Sequence, residues 1–110
     1  MPRRWTSFNK AVTDKEFKAL PDDDRIGLFE AMKLYRKEAG KSYVVKSYGG
    51  GLLMLKPKDG QGRCLFFCVA ETGTDQLLVA LLGYKKEGQK APPRLIQAAR
   101  ERMRLYEREQ

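Results

Sequence analysis

The stretch Gln76-Leu77-Leu78-Val79-Ala80-Leu81-Leu82-Gly83-Tyr84-Lys85 limits the folds open to this chain more than any other. Its core, Leu77 to Leu82, is apolar at every position, so it belongs to a buried strand or a buried helix. Short turn signals upstream favour a strand, one that is central in a sheet or covered. Immediately afterwards the character reverses. Tyr84-Lys85-Lys86-Glu87-Gly88-Gln89-Lys90-Ala91-Pro92-Pro93-Arg94 is basic, with Glu87 its single acid, and Gly88 and the proline pair stop regular structure. A cationic loop leaving a buried strand is aimed by a rigid element and exposed by its own irregularity, which suits the holding of a phosphate.

The other elements read outward from that strand. Tyr43 to Tyr48 and Leu52 to Lys56 read as strands joined by Gly49-Gly50-Gly51. A glycine-rich loop can cradle phosphate, but this one lacks the Lys-Ser/Thr pair and following helix of a P-loop, so a hairpin turn is the better reading. Pro57-Lys58-Asp59-Gly60-Gln61-Gly62 carries Asp-Gly turn chemistry and leads to a strand over Arg63 to Glu71. Thr72-Gly73-Thr74-Asp75 turns into Gln76 to Lys85. Connections this short dictate an antiparallel meander. On the N-terminal side, Met1 to Thr13 reads as irregular and basic, with Trp5 and Phe8 as anchors. Thr13 or Asp14 is expected to cap a short helix, Lys15 to Leu20. Pro21 opens a second, with Asp22, Asp23 and Asp24 in the first turn, where carboxylates suit the helix dipole. Leu28, Ala31, Met32, Tyr35 and Ala39 form its apolar stripe, and Gly40 its C-terminal stop. A last helix follows Pro92-Pro93, with Ile96, Ala99, Met103 and Tyr106 on one side and Arg94, Glu101, Arg104 and Arg108 on another. The expected fold is therefore α+β: two N-terminal helices, a four-stranded antiparallel sheet and a C-terminal helix, the helices packed on one sheet face. Residues 1–110 are read as a single domain, since a chain of this length has room for one core.

Charge narrows the function. The net charge is +8, which makes a polyanion the leading partner, against the plainer reading of a merely soluble basic protein. Residues 84 to 110 carry eight cations and four acids, a balance of +4, while 42 to 83 carry four and three. Within that nearly neutral sheet Lys46, Lys56, Lys58 and Arg63 stand out. There is no histidine, which removes the usual general base and every Ser-His or Cys-His nucleophile pair. Acid–base chemistry must then fall to Lys, Tyr, Asp or Glu. Cys64 and Cys68, four apart on a strand, share a face about 13 Å from each other, too far for a disulfide. They read as core residues of a reduced protein and cannot complete a zinc site, and no cofactor is implied. The charged N-terminus has no signal-peptide apolar segment and no run approaches ~20 apolar residues, so a cytoplasmic protein away from membranes is expected.

Strand alternation then sorts the sheet. Arg63, Leu65, Phe67 and Val69 share one face, and Cys64, Phe66, Cys68 and Ala70 the other. Lys56 lies with Met54 and Leu52. Lys56 and Arg63 flank one turn, and two cations so close are best tolerated with an anion between them. Lys58 reads as an ordinary strand-end charge.

Taken together, Leu53-Met54-Leu55-Lys56, Gly62-Arg63 with its apolar aromatic run, Leu77 through Lys86, Gln89-Lys90-Ala91-Pro92 and Ile96-Gln97-Ala98-Ala99 carry a familiar order. From about Asp14 to Arg104 the chain resembles the phage-associated HigB-type branch of the RelE/ParE toxin superfamily. The resemblance implies a small basic microfold toxin of a type II toxin–antitoxin system. Such a toxin cuts mRNA in the ribosomal A site and is neutralised by a cognate antitoxin, often a helix-turn-helix repressor. It also implies active-site roles for Lys56, Arg63, Lys85, Lys86 and Lys90. The N-terminal strand usual in the family is not evident in Arg3 to Val12, and Lys56 stands where arginine is commoner.

RNA brings its own nucleophile, the 2′-hydroxyl, so cleavage needs in-line positioning, a base, an acid and charge stabilisation, without a metal. Crowded cations disfavour one another's charge, which tunes a lysine towards base catalysis. On this reading Lys85 or Lys86 is the base, Arg63 stabilises the phosphorane, and Lys90 and Lys56 hold flanking phosphates. Tyr84 stacks on a base, donates a proton or is simply a buried strand-end aromatic. Lys46, Gln89, Arg94, Arg104 and Arg108 are expected to contact RNA or ribosome, with a solvated helix face as the plainer reading of the last three. Two alternatives share the fold: an inhibitor of DNA gyrase of the ParE type, and a non-catalytic nucleic-acid-binding regulator.

Overall fold

A computed structural model describes residues 3–37, 42–70 and 75–109. Five strands and three helices follow in the order β1 (Arg3–Ser7), α1 (Lys10–Lys18), α2 (Asp22–Arg36), β2 (Tyr43–Gly49), β3 (Leu52–Pro57), β4 (Gly62–Ala70), β5 (Gln76–Lys85) and α3 (Pro93–Arg108). They build one sheet in the order β1-β5-β4-β3-β2. The meander β2 to β5 is antiparallel. β1 pairs parallel with β5, Trp5 opposite Leu78.

This corrects the expected fold class. The sheet has five strands and is mixed, because 3–7 is a strand and not an irregular lead. Two arginines and no apolar alternation hide it in the sequence, and its pairing partner lies some seventy positions away, about the interval from Arg3 to Gln76. β5 supplies the reason it forms: an apolar strand needs a neighbour on both edges. Both expected anchors grip, on opposite faces. Trp5 packs edge-on against Phe66 with ring centroids 5.1 Å apart, and its Nε1 donates to the Met32 carbonyl at 2.8 Å. Phe8 packs on the other face, under the Arg102 guanidinium.

The expectation that all helices share one face is also overturned. Phe17 of α1 and Leu28 and Ala31 of α2 pack with Leu55, Cys64, Phe66 and Leu78. Ala99, Ile96, Met103 and Tyr106 of α3 pack on the opposite face, with Leu65, Phe67, Val79 and Leu81. Strand alternation explains the split, since each strand feeds two cores. Burial of β5 on both faces follows from it, Leu77 to Gly83 being buried throughout.

α1 starts earlier than expected, at Lys10, and Asn9 caps it by accepting from the Val12 amide at 3.4 Å. Thr13 is not the cap. It is buried mid-helix, where its hydroxyl shares a 2.6 Å hydrogen bond with Ser7. α2 places Asp22, Asp23 and Asp24 in its first turn as expected. Ala39, Gly40, Glu71 and the 72–74 turn lie outside the described residues. Both cysteines are free, Cys64 fully buried. Among the described residues no helix is long and apolar enough to cross a membrane.

Candidate nucleic-acid site

α3 packs chiefly on β5 and β4 and meets the β2–β3 hairpin at its turn, while Val44, Lys46 and Lys56 farther along that face stay exposed. A cleft of about 210 Å³ opens there, lined by Val44, Lys46, Tyr48, Met54, Lys56, Arg63, Tyr84, Lys86, Gly88, Gln89, Lys90 and Ala91. Register builds its floor. Lys46 faces Met54 and Val44 faces Lys56 across β2 and β3, while Arg63 faces Tyr84 across β4 and β5. Residues two apart on a strand share a face, so four strands contribute to one surface. The segment from Lys86 to Ala91 then closes one side, its start fixed by the Lys86 amide donating to the Gln61 carbonyl at 2.7 Å.

Arg63 is the most constrained of these residues. It is 4% exposed, yet it carries a guanidinium. Its Nη1 donates to the carbonyls of Gly60 at 3.2 Å and Gly62 at 2.9 Å. Burial pulls its pKa below the ordinary value, opposed by Tyr84 and Asp24, but arginine keeps its proton at neutral pH. Among the described residues no carboxylate forms a salt bridge with it. A buried cation held only by neutral carbonyls favours an anion arriving in the cleft.

Tyr84 stands beside it with its hydroxyl pushed up to about 12, chiefly by burial and then by the neighbouring Tyr48, against the lowering pull of Arg63. It is a neutral hydrogen-bond donor at physiological pH. The Lys46 ammonium lies 5.2 Å from the centre of the Tyr48 ring, a cation–π contact. No acidic residue lines the cleft among the described residues. Its donor set therefore suits a phosphate and offers a metal cation no carboxylate.

The structure thus brings Lys46, Lys56, Arg63, Tyr84, Lys86, Gln89 and Lys90 to one cleft. It does not bring Lys85 there. Lys85 follows Tyr84 by one position and so points to the other face, where its Nζ lies 3.6 Å from an Asp24 carboxylate oxygen. Arg104 and Arg108 line a separate groove along α3 with Glu101, Leu105 and Glu107. Arg94, exposed at the start of α3, does not line the cleft.

Several contributors carried no signal of their own in the sequence. Past the end of β1 the edge of β5 would be bare, but Arg102 donates to the Leu81 carbonyl at 2.9 Å and Glu16 accepts from the Gly83 amide at 3.1 Å. The two are themselves ion-paired at 2.8 Å, so the strand entering the site is held at both polar positions. Gly83 is required there: a Cβ would sit 2.5 Å from the Phe17 ring. Arg100 donates to the carbonyls of Tyr48 and Gly49 at 2.8 Å and 3.1 Å, pinning the β2–β3 turn to α3. Tyr48 and Val44 as cleft wall were legible in principle, because they alternate with Lys46.

No curated protein matches the chain. Residues 15–104 match a family described as phage-derived protein Gp49-like, DUF891. That match spans the end of α1, all of α2, the meander, the basic cleft and most of α3, and so the chain belongs to the Gp49-like family of phage-derived proteins, one of the RelE/HigB-like toxin families.

Proposed function

We propose that the whole chain is one toxin domain of a type II toxin–antitoxin pair, acting in the cytoplasm as a ribosome-dependent mRNA endoribonuclease. The observation that carries this reading is Arg63: a buried guanidinium with no salt bridge to a carboxylate among the described residues, on the floor of a cleft ringed by Lys46, Lys56, Lys86 and Lys90.

The reaction is transesterification within the RNA. The 2′-oxygen attacks the adjacent phosphorus, the bond from phosphorus to the 5′-oxygen breaks, and a 2′,3′-cyclic phosphate and a 5′-hydroxyl result. The 2′-hydroxyl proton goes to a base and the leaving 5′-oxygen receives one. Lys86 is assigned as the base, being the one of the adjacent lysine pair that lines the cleft. Tyr84, which holds its proton at neutral pH, is assigned as the donor to the leaving oxygen. Arg63 stabilises the charge that develops on the phosphorane, in a site already arranged for it. Lys56 and Lys90 hold flanking phosphates, and Lys46 and Gln89 the strand beyond. The partners are mRNA in the ribosomal A site, and a cognate antitoxin that restrains the toxin. Arg94, Arg104 and Arg108, away from the cleft, are assigned to the ribosome's RNA backbone.

The test is induction of the wild type and of Arg63→Ala, with transcript 5′ ends mapped after arrest. The wild type is expected to stop translation and create new 5′ ends bearing hydroxyls. Arg63→Ala is expected to lower cleavage about 10²- to 10³-fold, the usual cost of removing one transition-state donor, with the fold retained by circular dichroism. DNA damage preceding any transcript cleavage would instead place the chain with gyrase inhibitors. RNA binding without new ends would make it a non-catalytic binder.

A further inference from the structure

Asp24 lies on α2, across the sheet from the cleft, and is 8% exposed. One carboxylate oxygen accepts from the Gln61 amide at 2.8 Å. The other lies 3.6 Å from Lys85 Nζ. The turn it grips, Gly60-Gln61-Gly62, is the same turn that holds the cleft. Gly60 and Gly62 give the two carbonyls that anchor the Arg63 guanidinium. Gln61 gives the carbonyl that takes the Lys86 amide at 2.7 Å. Three turn residues thus fix both the arginine and the start of the basic loop, and one carboxylate fixes the turn.

The fit against α2 is close. A Cβ on Gly62 would sit 2.8 Å from the Asp24 carbonyl oxygen, and one on Gly60 would sit 3.2 Å from the Asp24 carboxylate. Gly60 also has φ near +91°, which only glycine adopts freely. The sequence Asp59-Gly60-Gln61-Gly62 is therefore shaped to meet Asp24, beyond the needs of a hairpin turn.

We propose that Asp24 is a positioning residue of the cleft, setting through the 60–62 turn where Arg63 and Lys86 stand. Its catalytic consequence rests on the RNA-cleavage reading above; the positioning itself does not. Lys85 then serves the site from behind, as the cation paired with the buried carboxylate.

Two readouts on the purified full chain test this. By amide hydrogen exchange, Asp24→Ala is expected to lower protection of the Gln61 and Lys86 amides about tenfold or more, the Leu65 and Leu78 amides keeping theirs. Asp24→Asn, whose side-chain oxygen still accepts from Gln61, is expected to keep all four. In cleavage of mRNA on programmed ribosomes, Asp24→Ala is expected to lower kcat about 10- to 100-fold with KM within about threefold, since small misplacements of reacting groups cost that much. Asp24→Asn should restore kcat to within about threefold. Should Asp24→Ala fail to fold, Asp24→Glu decides: it keeps the charge, but its extra methylene displaces the turn, and kcat is expected to fall about tenfold. Unchanged Lys86 protection in Asp24→Ala, equal losses in Asp24→Asn, or a folded Asp24→Glu with full kcat would overturn the proposal. A wild type that cuts no RNA would sink the functional reading alone, and the exchange data would still decide the positioning.

Discussion

The two faces of the sheet are built from the same strands and treated differently. On one, α1 and α2 roof the strands completely enough that Leu28, Leu55, Cys64, Phe66 and Leu78 are shut away. Two polar groups drawn into that face are answered by the chain itself: Trp5 Nε1 by the Met32 carbonyl and Ser7 by Thr13. On the other, α3 roofs β5 and β4 and reaches β2 only through Arg100 at its turn end. The open end holds cations with no acid among the described residues that line it. Neighbours in sequence are divided between these surroundings. Cys64 is in the sealed core and Arg63 in the cleft; Phe66 meets Trp5 and Phe67 meets Tyr106; Lys85 pairs with Asp24 and Lys86 lines the cleft. A sheet that gives one face wholly to stability can leave part of the other unfinished, and an unfinished cationic face suits an anion.

Three measurements would break or sharpen that contrast. The largest effect is expected from Phe66→Ala, which empties the centre of the sealed face beside Trp5 and Tyr35. It should cost about 3–5 kcal/mol in urea unfolding, while RNA cleavage per folded molecule stays within about threefold. A specific loss of cleavage would show that the faces are not separable. Next comes the adjacent lysine pair. Lys86→Ala should reduce cleavage about 10²-fold, in the range for removing a general base, and Lys85→Ala by no more than about threefold. A reversed order would move the site to the wrong face.

The smallest effect is one of pH. Burial holds the Tyr84 hydroxyl protonated up to about 12, above the ordinary value of about 10. The folded chain therefore binds that proton more tightly than the unfolded chain. The resulting stability is complete below pH about 10 and is lost as pH climbs through about 12. Tyr84→Phe should flatten part of the fall in melting temperature across that window and change little at pH 7. Tyr35, on the sealed face, is also raised by burial, so some slope should survive in Tyr84→Phe. An alkaline profile identical to the wild type would mean that Tyr84 is better solvated than its surroundings imply.

Much of this was legible from residues alone where the signal is local. β5 spans Gln76–Lys85 as the apolar run indicated, and β2 and β3 fall within a residue of their sequence bounds. Alternation put Arg63 on the face of Leu65 and Phe67 before any packing was known. The same rule would separate Lys85 from Lys86, a distinction that the charge density of the 85–94 stretch does not carry. β1 escaped because a short, basic edge strand has no period to detect. Its existence depends on the unpaired edge of β5, which is a partner and not a pattern.

The amino-acid sequence by itself determined the meander, the apolar centre, the three helices and the basic loop that follows β5. Each arises from turn chemistry, periodicity or charge acting over a few residues. Tertiary structure alone decided that the sheet is mixed, that helices cover both of its faces, and that Asp24, Glu16 and Arg102 brace the site. Those outcomes depend on which strand edge is left bare and which helix reaches it, contacts that form across 37 positions between Asp24 and Gln61, 67 between Glu16 and Gly83 and 86 between Glu16 and Arg102. No local residue preference carries information over such an interval; only the closing of the sheet brings those groups within hydrogen-bonding distance.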